Sequence, residues 1–142
     1  MEDPMAGWPY PPERTLVGSL GIVFLELGPE RMVGNMPITE RTIQPFGVAH
    51  GGALIALAET LASVGTALNI DLATHIAVGQ EINASLLRPV PIGGTVTGEA
   101  LVLHRGRTSM VWDVRIRNDE GKLAVVCRCT IAIRPRPRDG EG

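Results

Sequence analysis

One stretch of twenty residues, from Gly51 to Ile70, constrains the fold of this chain more than any other. It is rich in alanine and leucine, which favour helix, and Glu59 is its only charged residue. A helix that is apolar on nearly every side has to be buried. We therefore predict one long buried helix that carries a carboxylate near its middle. Burial makes that carboxylate costly to ionise, so Glu59 is the first candidate functional residue.

The same stretch has about the length of a transmembrane helix, for which ~20 residues are needed. However, it contains asparagine, serine and threonine besides the central glutamate, and an acidic residue at mid-bilayer costs roughly 2.5–3.5 kcal/mol. We therefore expect a core helix and no membrane partner. The first residues show neither the basic nor the apolar segment of a signal peptide, so we expect a cytoplasmic protein.

Size and composition favour one globular domain that does not bind nucleic acid. The chain has 142 residues, a net charge of -2 and only 4% aromatic residues. Duplex-binding proteins usually carry a basic surface, and single-strand binding relies on aromatic side chains. Cys127 and Cys129 lie two apart in a strand-like segment, so they share one face. We expect buried thiols there and neither a disulfide nor a metal site.

The hydrophobic pattern predicts two strands before the long helix and four after it. Residues 1 to 14 form a proline-rich arm, residues 15 to 133 the folded domain, and residues 134 to 142 a polar tail expected to be disordered. A short helix is expected at residues 15 to 20. The expected strands are residues 21 to 27, 31 to 38, 75 to 87, 95 to 104, 108 to 117 and 123 to 133. An antiparallel sheet with one apolar face buries that face by wrapping round the helix, which gives an α+β fold.

A set of small and polar residues surrounds the helix start and Glu59. Gln44 and Gly47 precede the triplet His50-Gly51-Gly52, and Ser63 follows Glu59 by four residues. With these residues the chain resembles the hotdog-fold acyl-CoA thioesterases, specifically the branch of the phenylacetate-pathway and hydroxybenzoyl-CoA thioesterases. The resemblance implies a hotdog fold with five to six strands round one central helix, and hydrolysis of an acyl-CoA. Coenzyme A would enter as part of the substrate, with no separate cofactor.

The residues themselves suggest how a thioester would be attacked. The first amides of a helix lack helical partners and carry partial positive charge, so the Gly51 N–H suits a developing oxyanion. Glu59 would act as nucleophile or as general base, and the sequence leaves both roles open. Ser63 lies on the same helical face and would position water. Gln44 would donate to the carbonyl or hold the water, and His50 would either shape this site or cap the helix.

The distance along the helix predicts a site shared between two chains. Gly51 and Glu59 are eight residues apart, or about 12 Å at ~1.5 Å per residue. One carbonyl group cannot contact both. The donor and the carboxylate would therefore come from different chains of a homodimer, and the resemblance implies such shared sites and a dimer of dimers.

The phosphates of coenzyme A need cationic partners, for which guanidinium groups are suited. Arg88, His104, Arg105 and Arg107 lie near strand ends and are the candidates, with ordinary solvated charge as the alternative. The three histidines of the chain lack metal-ligand spacing, so no metal is expected. Ser85-Leu86-Leu87 offers no aromatic or ionisable group where some members of the family have one, which leaves the acyl group open.

Two other functions compete with hydrolysis. A hotdog hydratase or dehydratase needs an acid/base pair aimed at the α- and β-carbons of the acyl group, whereas a backbone donor with a carboxylate suits attack on the carbonyl. Release of free thiol would distinguish these reactions. A non-catalytic acyl-CoA-binding module would not need Glu59, Gln44 and Ser63 together, and turnover would exclude it.

Overall fold

The computed structural model describes residues 3, 5–138 and 140, and it contains all six expected strands and the long helix. A 3₁₀ turn at Pro12–Arg14 and helix α1, Leu16–Ser19, precede the sheet. Helix α2 spans Gly51–Ala67. Strands β1 to β6 span Val23–Leu27, Arg31–Pro37, His75–Leu86, Thr95–Arg105, Ser109–Arg117 and Leu123–Pro135. The expected α+β class is confirmed.

The six strands form one antiparallel sheet in the order β1-β2-β4-β5-β6-β3. Helix α2 packs against five of them, β2 to β6. Alternate residues of β5 (Met110, Trp112, Val114 and Ile116) are fully buried, as the period of two along a strand requires. The sheet therefore wraps round α2, and the core lies between them.

Two glycines on neighbouring strands let the helix approach the sheet closely. Gly34 of β2 is paired with Gly98 of β4. A Cβ atom at either position would lie less than 3 Å from a methyl group of Leu61. The missing side chains thus make the space that Leu61 of α2 fills, and this contact fixes the depth of the helix in the sheet.

Helix α2 ends three residues before the end of the apolar stretch. The Asn69 side-chain amide donates to the carbonyl of Gly65 at 2.8 Å and to that of Pro29 at 2.7 Å. This side chain satisfies a carbonyl of the last turn, which would otherwise have no helical partner. The apolar pattern alone does not predict that the helix ends at this position.

The last strand is longer than expected. Arg134 and Pro135 continue β6 beyond residue 133 and pair with Ile76 and His75 of β3, so the polar tail begins later than the sequence predicts. The disorder expected for the tail falls partly on residues 139, 141 and 142, which lie outside the described residues. The same holds for residues 1, 2 and 4 of the proline-rich arm.

The two cysteines are free and buried, as expected, with their Sγ atoms 3.6 Å apart. Both face α2 from the inner side of β6. No helix in the described residues is long and apolar enough to cross a membrane.

The contact between Gly65 and Trp112 generates a prediction about stability. A glycine inside a helix normally costs about 0.8–1.0 kcal/mol relative to alanine. Here an added Cβ would lie 2.6 Å and 2.7 Å from two ring atoms of the buried Trp112, and overpacking costs about 1–3 kcal/mol. We therefore expect Gly65→Ala to lower the free energy of unfolding, measured by urea denaturation, instead of raising it.

The control removes the ring atoms that cause the contact. Both lie in the six-membered ring of the indole, so Trp112→Phe frees space beside Gly65. Gly65→Ala should cost less in the Trp112→Phe background than in the wild type. An equal cost in both backgrounds would contradict this account of the packing.

Candidate active site

The start of α2 presents one backbone amide that the protein does not use. His50 caps the helix through its Nδ1, which accepts from the Gly52 N–H at 2.8 Å. The carbonyl of His50 accepts from the N–H groups of Ala53 and Leu54. Within the described residues, the Gly51 N–H is the one amide of this first turn without an acceptor. It is therefore available to a ligand oxygen.

Gly51 also lies close to the end of β3. A Cβ at Gly51 would be 2.6 Å from Cδ1 of Leu86, whose side chain is half exposed. The absence of a side chain keeps the backbone of the helix start accessible, as close approach of a ligand requires. The Gly51 N–H therefore lies next to Leu86 of the edge strand β3.

Gln44 and His50 lie with Gly51 at the same end of the helix. The loop between them is held by the His50 N–H, which donates to the Thr42 carbonyl at 2.8 Å, and by the Gln44 N–H, which donates to the Val48 carbonyl at 2.9 Å. The Gln44 side-chain oxygen accepts from the Phe46 N–H. Its NH₂ group is then the end that can donate to a substrate. In His50, the accepting Nδ1 implies that the proton of the neutral ring sits on Nε2.

Glu59 is half-buried and points toward the edge strand β3. Its Oε1 accepts from the Ser63 hydroxyl at 3.4 Å, so the expected pairing of these side chains on one helical face is present. A Cβ at Gly79 would lie 2.6 Å from the same Oε1. Gly79 therefore provides the space that the carboxylate occupies.

The buried Cys129 thiol does not compete with Glu59 as a nucleophile. The contact with Cys127 and burial raise the pKa of the Cys129 thiol, and the charge of Glu59 acts in the same direction. Cys129 therefore stays protonated, and a neutral thiol is a poor nucleophile.

One chain does not bring the donor and the carboxylate together. Both belong to the continuous helix α2, which separates Gly51 from Glu59 by about 12 Å. Each is nevertheless next to β3, Gly51 through Leu86 and Glu59 through Gly79. The two halves of the expected constellation therefore lie along one sheet edge, seven residues apart on that strand.

The expected coenzyme A contacts divide into two groups. The Arg88 side chain donates to the carbonyl of Leu123, at the start of β6, at 2.9 Å. Arg105 of β4 is paired with Met110 of β5, which is paired with Ile131 of β6. Ile131 lies eight residues beyond Leu123 on β6, a distance of about 26 Å at ~3.3 Å per residue. His104 and Arg107 are exposed beside Arg105. The sequence grouped these four residues together, whereas the fold places Arg88 at the opposite end.

Gly79 and Leu86 were not identified as site residues from the sequence, although the sequence pattern does indicate a special role for Gly79. Glycine inside a strand often marks a close approach of another group, and Gly79 interrupts the pattern of β3 in this way. Leu86 gave no such signal, because its contact with Gly51 depends on how β3 returns beside the helix.

Comparison with known proteins identifies the family of this chain. The family model of the thioesterase superfamily matches residues 46–125. ComA2 of Bacillus subtilis is 46% identical over 121 residues, which cover 85% of this chain and 95% of that protein. The proofreading thioesterase EntH of Klebsiella pneumoniae is 40% identical and is covered over 87% of its length by 85% of this chain. A crystal structure of a variant of the thioesterase PA1618 of Pseudomonas aeruginosa superposes with a TM-score of 0.84 and 39% identity, covering 88% of this chain and 89% of that one.

Proposed function

The chain belongs to the thioesterase superfamily and is a thioester hydrolase with the hotdog fold, and we propose that it releases coenzyme A from acyl-CoA thioesters. The observation that carries the proposal is the unpaired Gly51 N–H at the start of the helix that also holds Glu59. A backbone donor for the carbonyl oxygen and a carboxylate for the carbonyl carbon are what thioester hydrolysis requires.

The Gly51 N–H donates to the carbonyl oxygen and stabilises the negative charge that develops on it. One such donor is worth roughly 2.7–4 kcal/mol where removal has been measured. The NH₂ group of Gln44, held by the contact of its oxygen with Phe46, supplies a second donor at this end of the helix. His50 fixes the helix start by capping Gly52.

Glu59 drives the displacement of the thiolate, either by attacking the carbonyl carbon itself or by activating a water that attacks it. As nucleophile, a carboxylate oxygen bonds to the carbonyl carbon while the carbon–sulfur bond breaks, and water then hydrolyses the anhydride. As general base, Glu59 takes a proton from water, whose oxygen attacks directly. In either case the products are the free acid and the thiol of coenzyme A. Ser63, which donates to Glu59 Oε1, orients the carboxylate and the water.

A second copy of the chain completes the site through β3. The other edge strand, β1, has only five residues, and a short edge strand is a common protection against edge pairing. Strand β3 has twelve residues and is paired only with β6 within the described chain. A long edge with open backbone groups favours pairing with another strand. We assign the homodimer interface to this edge.

The register of that pairing follows from the two contacts on β3. On β3, Gly79 lies beside Glu59 and Leu86 lies beside Gly51. The midpoint between Gly79 and Leu86 is near Ile82 and Asn83. Antiparallel pairing of two β3 strands about this midpoint places Gly79 beside the partner's Leu86. Glu59 then faces the partner's Gly51, so that each dimer has two complete sites.

The same two-fold pairing places the Arg88 end of one subunit toward the end of the other subunit that carries His104, Arg105 and Arg107. Arg88 lies near the end of β3, whereas His104, Arg105 and Arg107 lie at the end of the sheet where β3 begins. Antiparallel pairing brings the end of one β3 to the start of the other. We propose that these residues contact the phosphates of coenzyme A from both subunits, and that two dimers associate as a dimer of dimers.

The role of Glu59 is tested by Glu59→Gln. The amide keeps the size of the side chain and can still accept from Ser63, but it is neither a base nor a nucleophile. We expect kcat for thiol release from acyl-CoA to fall by at least ~10²-fold, with the melting temperature unchanged. Glu40→Gln, in the exposed loop after β2, is the matched control and should behave as wild type. A Glu59→Gln enzyme with near wild-type kcat would remove Glu59 from the mechanism.

The phosphate contacts are tested with Arg107→Gln, because Arg107 is exposed and outside the core. We expect KM for acyl-CoA to rise about three- to tenfold, as for loss of one charged contact weakened by solvent. The pantetheine thioester of the same acyl group, which lacks the nucleotide, should be hydrolysed as before. Arg128→Gln, an equal charge change on the outer face of β6, is the control. Equal losses on both substrates would mean that Arg107 does not bind the nucleotide.

A further inference from the structure

The N-terminal arm covers a cavity of about 540 Å³ beside the second half of α2. We call it the arm cavity. Residues 6 to 9 of the arm line it together with Ser63, Val64 and Ala67 of α2. Its volume lies within the range of about 300–1,000 Å³ that is usual for small-molecule sites. Because Ser63 also donates to Oε1 of Glu59, the arm lies over space that adjoins this carboxylate.

The arm is held on the domain by apolar side chains. Met5 and Trp8 are partly buried and pack against the core. The amides of Met5 and Ala6 donate to the carboxylate and to the carbonyl of Asp3, each at 2.9 Å, and the Trp8 amide donates to the Met5 carbonyl at 3.1 Å. Within the part of the chain that the structure describes, residues 5 to 10 make no hydrogen bond to the sheet or to α2. The arm can therefore leave the domain without breaking a hydrogen bond.

Docking of the arm also buries a polar group without a partner. The Nε1–H of Trp8 is closed to solvent and has no acceptor among the described residues. The other tryptophan, Trp112, differs, because its Nε1–H donates to the Thr66 hydroxyl at 2.9 Å. A buried donor without an acceptor costs its desolvation free energy, and Trp8 recovers this cost when the indole reaches water. The docked arm is therefore bound more weakly than the apolar contacts of Met5 and Trp8 alone imply.

We propose that the arm is a lid, which exchanges between a docked state that covers the arm cavity and a released state that opens it. The inference rests on the proposed thioesterase function, because an acyl chain that extends past Glu59 and Ser63 competes with the docked arm for space. A long acyl chain then releases the arm, whereas a short one leaves it docked. The lid opposes the binding of long-chain acyl-CoAs, since only the enzyme molecules with a released arm accept them.

The arm carries a natural probe of its own position. Tyr10 is the only tyrosine of the chain. It lies two residues from Trp8 and is exposed while the arm is docked. Incorporation of 3-fluorotyrosine therefore places one fluorine on the arm and none elsewhere. A docked arm tumbles with the whole domain and gives a broad fluorine resonance, whereas a released arm moves on the ns–μs timescale of chain termini and gives a narrow one.

Two changes at Trp8 should shift the lid in opposite directions. Trp8→Ala removes the apolar contact and should raise the ratio of released to docked arm about tenfold. Trp8→3-benzothienylalanine, in which sulfur replaces the N–H, keeps the size of the ring and removes the unpaired donor. It should lower the same ratio roughly five- to hundredfold. Leu16→Ala removes an exposed apolar side chain outside the arm and should behave as wild type. Shifts in the same direction, or no shift, in the two Trp8 variants would overturn the inference.

The effect of the ligand is tested in Glu59→Gln, to which acyl-CoA should bind without turnover. Saturating dodecanoyl-CoA should convert the broad Tyr10 resonance into the narrow one, and saturating acetyl-CoA should leave it broad. In the active enzyme, the ratio of kcat/KM for dodecanoyl-CoA to that for acetyl-CoA should rise in Trp8→Ala and fall in Trp8→3-benzothienylalanine. This ratio does not depend on the concentration of folded enzyme. A resonance that stays broad with dodecanoyl-CoA, or an unchanged ratio in both variants, would overturn the lid. Neither result affects the thioesterase proposal, which fails only if no acyl-CoA releases thiol.

Discussion

The rigidity of α2 is the constraint on which the rest of this structure depends. A straight helix holds Gly51 and Glu59 about 12 Å apart, and the packing of Leu61 against Gly34 and Gly98 fixes that helix in the sheet. No rearrangement of side chains can bring the two groups to one carbonyl. The mechanism that we propose therefore requires two copies of this helix.

We propose that two copies of the chain associate through the edge strand β3. Its start and end lie beside the two halves of the chemistry, because Gly79 contacts Glu59 and Leu86 contacts Gly51. A two-fold axis near the middle of β3 is the simplest operation that exchanges these halves.

Much of this could be predicted from the sequence, because the signals are local. The apolar stretch with its single glutamate specified the buried helix, and His50-Gly51-Gly52 specified its start. The sheet order and the separation of Arg88 from Arg105 depend on which strands pair, and pairing is a contact between distant parts of the chain. The close approach of Gly79 to Glu59 is likewise long-range. The sequence therefore predicts the residue types of the site better than their grouping.

The central claim is that each site is built from two chains, and mixed dimers test it most directly. Glu59→Ala removes the carboxylate, and Gly51→Pro removes the backbone donor at a helix position where proline is tolerated. Gly51→Ala adds a side chain beside Leu86 but keeps the donor, so it isolates the effect of the lost N–H. Each inactive variant should regain activity when the two are refolded together, toward half the wild-type rate per mixed dimer, since one site then has both intact groups. Mixed dimers that form but remain inactive, with Gly51→Pro shown to be folded, would contradict the shared site.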